Sequence, residues 1–343
     1  MRIAFLLPGQ VAAGSSPSAY PPRIAAALRQ DGHEAGCVTI EGSHPLPDDA
    51  ARQSAGAAWR QLPAGTLPVI DGLVLPAFAA LADAIADRAI GLVYHAHPLE
   101  RDLPEADRAA LRDLRQRLLP RLARVIATSP SAAERLRTES GIAANRIAVV
   151  APGIDDRPRS TGSGGPGCAV LSVGALLPRK RHDVLLRALA RLFDLDWSLD
   201  IVGSAARDPA HARALEALAA ELGIAARVRF VGELDAAALE CAWQRADLFA
   251  SASDWEAYGT AVAEVLRRGL PLAISSAAAA GLSVPVEAGV IAPPGDYEQL
   301  SKGIRRLIFD TALRRSTAET AWEAGRLLPD WAMQARAFAA ALA

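Results

Sequence analysis

Short apolar runs alternate with helically spaced segments over the first part of the chain. The apolar runs predict strands over residues 2–7, 36–40, 67–70, 90–94, 124–127 and 147–150. The intervening segments predict helices over residues 22–30, 78–87, 105–119 and 131–139. Strands that are joined through helices pair in parallel with right-handed crossovers, so the alternation predicts a parallel sheet.

The pattern breaks over residues 155–167, which are polar and rich in glycine and proline, and then starts again. Further strands are predicted over residues 169–173, 198–202, 228–231, 248–250, 271–274 and 289–291, with helices over 182–193, 209–222, 236–245, 259–268 and 297–309. Residues 311–343 have helical spacing, with a break near Leu328 and Pro329.

Two such series predict an α/β protein with two parallel-sheet domains in tandem. We expect a first domain over residues 1–155, a linker over 156–167, a second domain over 168–325 and a final helix over 326–343. Parallel sheets bind ligands at the carboxyl ends of their strands, so the cleft between the domains is the expected site.

The composition excludes several classes of protein. The 343 residues are 51% hydrophobic and 22% charged, with 37 Lys and Arg against 38 Asp and Glu. This balance favours no nucleic-acid partner and at most a weak peripheral membrane contact. Three isolated cysteines (Cys37, Cys168 and Cys241) and the lack of an export signal predict a cytoplasmic location.

Two glutamates separated by seven residues form the strongest local signal. Glu256 falls in the loop after a predicted strand, and Glu264 lies about one turn inside the helix that starts at Gly259 and Thr260. A helix start presents N–H groups to a phosphate, and a carboxylate one turn deeper can accept both hydrogen bonds of a ribose diol. The alternative is a pair of solvated acids near a helix start, where acids are common.

A basic turn after the first strand of the second domain is the next signal. It contains Arg179 and Lys180, and the chain has only one other lysine, Lys302. A lysine and an arginine at the carboxyl end of a strand can neutralise a diphosphate leaving group without a metal ion. The alternative is an ordinary exposed turn.

His95 and His97 follow a strand of the first domain. On an extended chain they point to one side, which suits acid–base work, sugar hydrogen bonding or metal binding. No third ligand has a fixed spacing, so the metal interpretation is weak, and histidines without a role are the alternative. Residues 194–196 have the DxD form of metal-dependent sugar transferases, but they fall between a helix and a strand and are interpreted as a loop.

These residues resemble family-4 glycosyltransferases, which are retaining, metal-independent enzymes of the GT-B fold with two Rossmann-like domains. The resemblance covers nearly the whole chain. It rests on the E-x7-E segment at 256–264. PRKRHD at 178–183 and HPLE at 97–100 resemble a bacterial branch of the family. Further similar segments are residues 32–33, 126–130, 150–155, 230–234 and 269–271, and Trp331 of the final helix, which in this fold crosses back to the first domain.

The resemblance implies transfer of a hexose from a nucleotide-diphosphate sugar to an unidentified acceptor (a small molecule, a glycan or a lipid-linked molecule), with retention and without a metal or other cofactor. Lys180 and Arg179 would hold the diphosphate, Glu264 the ribose and Glu256 the sugar. The implied catalytic residues are Glu256, Lys180, His97 and His95; the implied donor-binding residues are Arg179, Gly174, Leu234, Tyr258, Gly259, Thr260 and Glu264, with Gly14 and Ser15 near the phosphate from the first domain.

The sequence also departs from the family pattern. The first loop, residues 14–20, lacks the usual glycine pair, Ala175 replaces an arginine, and Arg181 and Ala257 replace glycines. Two alternatives therefore stay open: a non-catalytic partner that keeps the fold, and a nucleotide-sugar epimerase built on the same fold.

Overall fold

The computed structural model describes residues 1–9, 16–94, 103–256, 258–279 and 281–342, with residues 16–19 described by their backbone alone. The chain divides into two compact units. The first comprises Met1–Gly153 and Pro329–Ala343, and the second Ile154–Leu328. Each unit contains a six-stranded sheet whose pairings are parallel, which confirms the predicted fold class.

The sheet of the first unit has the strand order β2-β1-β3-β4-β5-β6. Its strands are β1 (Arg2–Pro8), β2 (Glu34–Ile40), β3 (Thr66–Asp71), β4 (Ile90–Val93), β5 (Arg124–Ala127) and β6 (Ile147–Val149). The helices between them are α1 (Ser16–Gln30), α2 (Asp49–Gln61), α3 (Ala82–Ile85), α4 (Glu105–Leu118) and α5 (Pro130–Ser140).

The sheet of the second unit has the order β12-β11-β10-β7-β8-β9. Its strands are β7 (Cys168–Val173), β8 (Trp197–Val202), β9 (Val228–Gly232), β10 (Leu248–Ser251), β11 (Leu272–Ser275) and β12 (Gly289–Ala292). Its helices are α6 (His182–Ala190), α7 (Pro209–Glu221), α8 (Ala236–Arg245), α9 (Thr260–Arg267), α10 (Tyr297–Phe309) and α11 (Thr311–Arg326). The chain then returns to the first unit for α12 (Trp331–Leu342).

Helices cover both faces of each sheet, because the central strands are apolar on both sides. In the first unit, Phe5 of β1 packs at 5.5 Å between ring centroids against Phe338 of α12, in a core that includes Ile24 of α1. In the second unit, Leu185 of α6 lies in the core of one face and Trp243 of α8 in the core of the other.

All twelve strands lie within one or two residues of their predicted bounds, but one helix was missed and another has a different form. The sequence analysis predicted no helix over α2, whose buried stripe is made of alanines (Ala51, Ala55 and Ala58) and gives little apolar contrast. The helix predicted over 78–87 is a 3₁₀ segment, Leu75–Leu81, followed by the short α3.

The stretch predicted as a linker lies within the second unit and has no helix or strand. Its polar residues bind backbone and side-chain groups of that unit instead. The Ser160 hydroxyl donates to the carbonyl of Ala246 at 3.0 Å, its N–H donates to the carbonyl of Arg268 at 2.9 Å, and Arg159 forms a two-pronged ion pair with Glu319 at 3.0 and 2.6 Å.

A separate finding concerns membranes. Within the described ranges, no helix has the length and apolar character needed to cross a bilayer.

Close backbone contact fixes the carboxyl ends of β7 and β8. The N–H of Gly174 donates to the carbonyl of Val202 at 2.8 Å, and the N–H of Gly203 donates to the carbonyl of Gly232 at 2.8 Å. A Cβ atom at position 203 would overlap the carbonyl group of Gly174. Glycine at 203 is therefore needed for the close approach of this backbone to Gly174. This approach fixes the position at which the loop after β7 leaves the sheet.

We expect Gly203→Ala to destabilise the second unit by roughly 1–3 kcal/mol, the usual cost of an overpacked methyl group. Urea unfolding of parent and variant measures the difference. Gly36→Ala in β2 is the matched control, because a Cβ there meets no atom within 4 Å. Equal losses for both variants would contradict the assigned contact.

Candidate functional site

Two loops at the carboxyl edge of the second sheet bring most of the predicted residues together. One loop follows β7 and carries Arg179 and Lys180 in a 3₁₀ turn ahead of α6. The other follows β10 and carries Glu256 ahead of α9. Because β7 and β10 are neighbours in the sheet, the two loops are adjacent.

An ion pair between Lys180 and Glu256 joins the loops. The ammonium group donates to Oε1 of Glu256, and the Ser253 hydroxyl donates to the same oxygen at 2.9 Å. The two charged side chains are only 14% and 19% exposed. The Lys180 side chain lies over Gly174, where a Cβ atom would come within 3.1 Å of its Cε. Gly174 thus makes room for the lysine.

Cations outnumber the carboxylate at this point. Burial by itself would raise the pKa of Glu256, but the charges of Lys180 and Arg179 and the hydrogen bonds from Lys180 and Ser253 together lower it, so the carboxylate is ionised. Arg179 Nη1 lies 3.8 Å from Glu256 Oε2, and this buried nitrogen has no hydrogen-bond partner among the described residues. The site therefore has a surplus positive charge and an unsatisfied donor.

The start of α9 provides further donors. Gly259 is the N-cap with a φ of 87°, and it has no side chain to cap the first N–H groups of the helix. A side chain at 259 would also approach the carbonyl of Ala278 within 2.6 Å. Tyr258 is buried, and Gly281 packs directly against it. These contacts hold the helix start, including Thr260, at the sheet edge with its N–H groups available for an anion.

Glu264 lies one turn inside α9, partly buried beside Arg268. Burial raises the pKa of Glu264, while the positive charge of Arg268, 3.6 Å away, acts in the opposite direction. Arg268 is itself buried, donates to Glu240 at 2.6 Å and stacks over Trp243 at 5.1 Å. This support holds the Glu264 carboxylate one helical turn beyond Thr260. Its role as an acceptor for a ribose stays a prediction.

Leu234 lies beyond β9, after Gly232 with a φ of 81°, and packs partly buried against the core beneath α8. It is at the same carboxyl edge of the sheet as the other predicted donor residues.

Several predicted residues lie outside the described residues: Gly14, Ser15, His95 and His97. Ala257, one of the departures from the family pattern, does too. Their assigned roles stay predictions. Within the part of the chain that the structure describes, no three or more His, Cys, Asp or Glu side chains are grouped to hold a metal ion.

The sequence analysis missed several residues that support the site. Ser253 holds Glu256, Asp254 binds the Lys180 loop, and Arg268 with Glu240 supports Glu264. Asp254 and Ser253 were readable as polar residues just ahead of Glu256, but only the fold shows which partners they bind.

Comparison with known families identifies the class of protein. A family model described as "Glycosyl transferases group 1" matches residues 155–323, and one described as "Glycosyltransferase Family 4" matches residues 69–157. The chain belongs to the glycosyltransferases that these models describe. The predicted glycosyltransferase family and its GT-B fold are confirmed, whereas retention and metal independence stay predictions.

Two curated relatives of the chain share one name. The chain is 32% identical over 256 residues to a D-inositol 3-phosphate glycosyltransferase of Rhodococcus opacus, which covers 68% of this chain and 55% of the relative. It is 33% identical over 221 residues to the enzyme of that name from Mycobacterium sp. strain KMS, covering 59% and 49%. The chain thus spans about half the length of the curated relatives it matches.

Solved structures agree in fold at lower identity. Sucrose-phosphate synthase from Thermosynechococcus elongatus superposes with a TM-score of 0.81 at 20% identity, covering 99% of this chain and 98% of that one. Anabaena HepE in complex with UDP and glucose gives 0.79 at 19% identity, covering 100% and 99%.

His182, the first residue of α6, makes the free energy of unfolding depend on pH. Burial lowers its pKa to about 3, and the charges of Lys180 and His211 act in the same direction. An unfolded histidine has a pKa of about 6.5. As pH falls from about 6.5 towards 3, the unfolded chain takes up a proton that the folded chain does not, so stability falls by up to about 1.4 kcal/mol per pH unit.

We expect His182→Phe to flatten this part of the profile. Urea unfolding of parent and variant between pH 7.5 and 4.5 measures it. Parallel profiles for the two proteins would contradict a buried, neutral His182.

Proposed function

We propose that the protein transfers a sugar from a nucleotide-diphosphate sugar to an acceptor, with retention of configuration and without a metal ion. The observation that carries this proposal is the pair of adjacent loops that places Lys180, Arg179, Glu256 and the start of α9 together. Family membership supports it.

The diphosphate would bind where positive charge exceeds negative. Lys180 and Arg179 share a single carboxylate, Glu256, and the first N–H groups of α9 add the positive end of the helix dipole. The phosphate oxygens would replace Glu256 as the partner of Lys180. They would also accept a hydrogen bond from the unsatisfied Nη1 of Arg179. As the bond to the sugar breaks, negative charge grows on the phosphate oxygens, and fixed cations stabilise that state more than the ground state.

Glu256 and Glu264 would then serve different parts of the donor. Glu264 lies one turn inside α9, where it would accept hydrogen bonds from the ribose hydroxyls. When Lys180 binds the phosphates, Glu256 would face the sugar. Its carboxylate would then lie near the anomeric carbon of the sugar, where positive charge develops. The acceptor hydroxyl oxygen would form its bond to the anomeric carbon on the face from which the diphosphate leaves, which gives retention. The bond from that carbon to the phosphate oxygen breaks, and the leaving phosphate takes up the hydroxyl proton.

The comparisons guide the choice of ligands. HepE has been solved with UDP and with glucose, so a UDP-sugar is the first donor to test. The curated relatives are named for D-inositol 3-phosphate, so a polyol phosphate is the first acceptor. We also propose a cytoplasmic location, because Cys37, Cys168 and Cys241 are all free thiols, as in a reducing compartment.

Binding and transfer are tested together. Calorimetry with UDP, GDP and ADP in EDTA asks whether a nucleotide binds without a divalent ion. Radiolabelled nucleotide sugars, with and without acceptor, then separate three outcomes: transfer, no turnover, and epimerisation of the sugar nucleotide. Binding that appears only with magnesium or manganese would overturn the metal-independent part of the proposal.

Lys180→Ala should lower turnover at saturating donor by roughly a hundredfold or more, the scale seen when one fixed donor to a developing anion is lost. The measured quantity is sugar transfer, with circular dichroism to verify folding. Lys302→Ala is the matched control, because Lys302 is the other lysine of the chain and is exposed on α10. A folded Lys180→Ala protein within about threefold of the parent, roughly 0.7 kcal/mol, would show that this loop is not the diphosphate site.

Glu264→Ala and Glu256→Ala should have different effects. Loss of Glu264 removes acceptors for the ribose, each hydrogen bond contributing about 0.5–1.5 kcal/mol, so nucleotide affinity should fall. Loss of Glu256 removes the competitor for Lys180, so UDP affinity should stay or rise while turnover falls. Calorimetry and steady-state kinetics measure the two effects. Equal losses of UDP affinity would contradict this division of roles.

A further inference from the structure

Arg181 has a strained backbone directly beside Lys180. Its φ of 49° and ψ of 42° lie in the left-handed region, which only one other non-glycine residue, Asp87, enters with a positive φ within the described ranges. This conformation is unfavourable for an L-residue other than glycine, because its Cβ atom lies too close to the following carbonyl oxygen. Such strain persists where surrounding contacts hold it in place.

Those contacts are two carboxylates on opposite sides of the guanidinium. Nε and Nη2 of Arg181 donate to the two oxygens of Asp183, each at 3.1 Å, and Nη1 donates to both oxygens of Asp254 at 3.2 Å. All three side chains are about a third exposed or less. Burial would raise the pKa of Asp183, but the hydrogen bonds and charge of Arg181 hold it below its usual value.

The two carboxylates belong to different elements. Asp183 is in the first turn of α6, whereas Asp254 is in the loop after β10, two residues before Glu256. The backbone N–H of Asp254 also donates to the carbonyl of Arg179 at 2.9 Å. Arg181 therefore ties the loop that carries Glu256 to the loop and helix that follow Lys180.

We propose that Arg181 is a positioning residue: through Asp254 it holds the two loops in the register that sets Lys180 against Glu256. The inference rests on the proposed function for its catalytic consequence. Its geometric part concerns the Lys180–Glu256 pair alone.

The charges around each arginine distinguish a positioning role for Arg181 from direct binding of the donor. Lys180 and Arg179 share one carboxylate, which leaves a net positive charge, whereas Arg181 is shared by Asp183 and Asp254, which leaves a net negative charge. An anionic diphosphate is drawn to the first group and not to the second. Arg181 thus acts on the loops and not on the phosphate.

The first test needs no activity. The chain has two lysines, so protein labelled with ¹³C and ¹⁵N in lysine gives two ammonium signals, and Lys302, which is exposed, provides an internal reference. In the parent, the Lys180 signal should be displaced by Glu256. Arg181→Gly and Asp254→Asn should each move it towards the Lys302 position, because the loops lose their register. Glycine tolerates the left-handed backbone, so Arg181→Gly keeps a folded protein, which thermal unfolding checks.

The second test is kinetic. Arg181→Gly and Asp254→Asn should each lower kcat about tenfold with the donor KM within about twofold, and the double variant should be no worse than either single one, because both remove the same link. Arg305→Ala, which removes a two-pronged pair with Asp194 at 2.8 and 2.6 Å elsewhere in the unit, is the matched control and should keep parental kinetics.

Each outcome separates the two proposals. An unmoved Lys180 signal in Arg181→Gly would overturn the positioning role whatever the activity. A higher donor KM with unchanged kcat would overturn it too, because Arg181 would then bind the donor. If the parent neither binds nor turns over any nucleotide sugar while the Lys180 signal still moves, the proposed function fails and the positioning of Lys180 by Arg181 is supported.

Discussion

A lysine and a glutamate that face each other at the edge of a sheet govern the rest of the second unit's site. Lys180 and Glu256 are mostly buried, and buried charges are tolerated only when each has a partner and further hydrogen bonds. Gly174 makes room for the lysine, and Ser253 supplies a second hydrogen bond to the glutamate. The order of β7 and β10 in the sheet is what brings the two loops together.

In the proposed function, the same pair opens to accept an anionic donor. Glu256 pairs with Lys180, while Arg179 keeps an unsatisfied nitrogen. One carboxylate thus neutralises part of the positive charge of these two cations. In that proposal a diphosphate would replace the carboxylate as the partner of Lys180, and Glu256 would then be available to a sugar. In the proposed function, one exchange of partners links donor binding to the assembly of the reacting groups.

Several features around this edge of the sheet lower the stability of the folded protein. His182 is buried without a partner for Nδ1, Glu264 is ionisable in a place that favours its neutral form, and Arg181 has a left-handed backbone. Strain and desolvated groups of this kind collect at functional sites, where surrounding structure holds them. The apolar cores on both faces of the sheet, with residues such as Leu185 and Trp243, provide that structure.

The sequence by itself determined the two parallel sheets, every strand and most helices, because alternation of apolar runs with helical spacing is a local property. It also determined the E-x7-E segment and the lysine loop, since both are contiguous. Tertiary structure alone decided that Lys180 meets Glu256, that Arg181 meets Asp254 and that Arg268 supports Glu264. The first two of these contacts join residues more than seventy positions apart, and all three depend on strand order and packing, which no local pattern records.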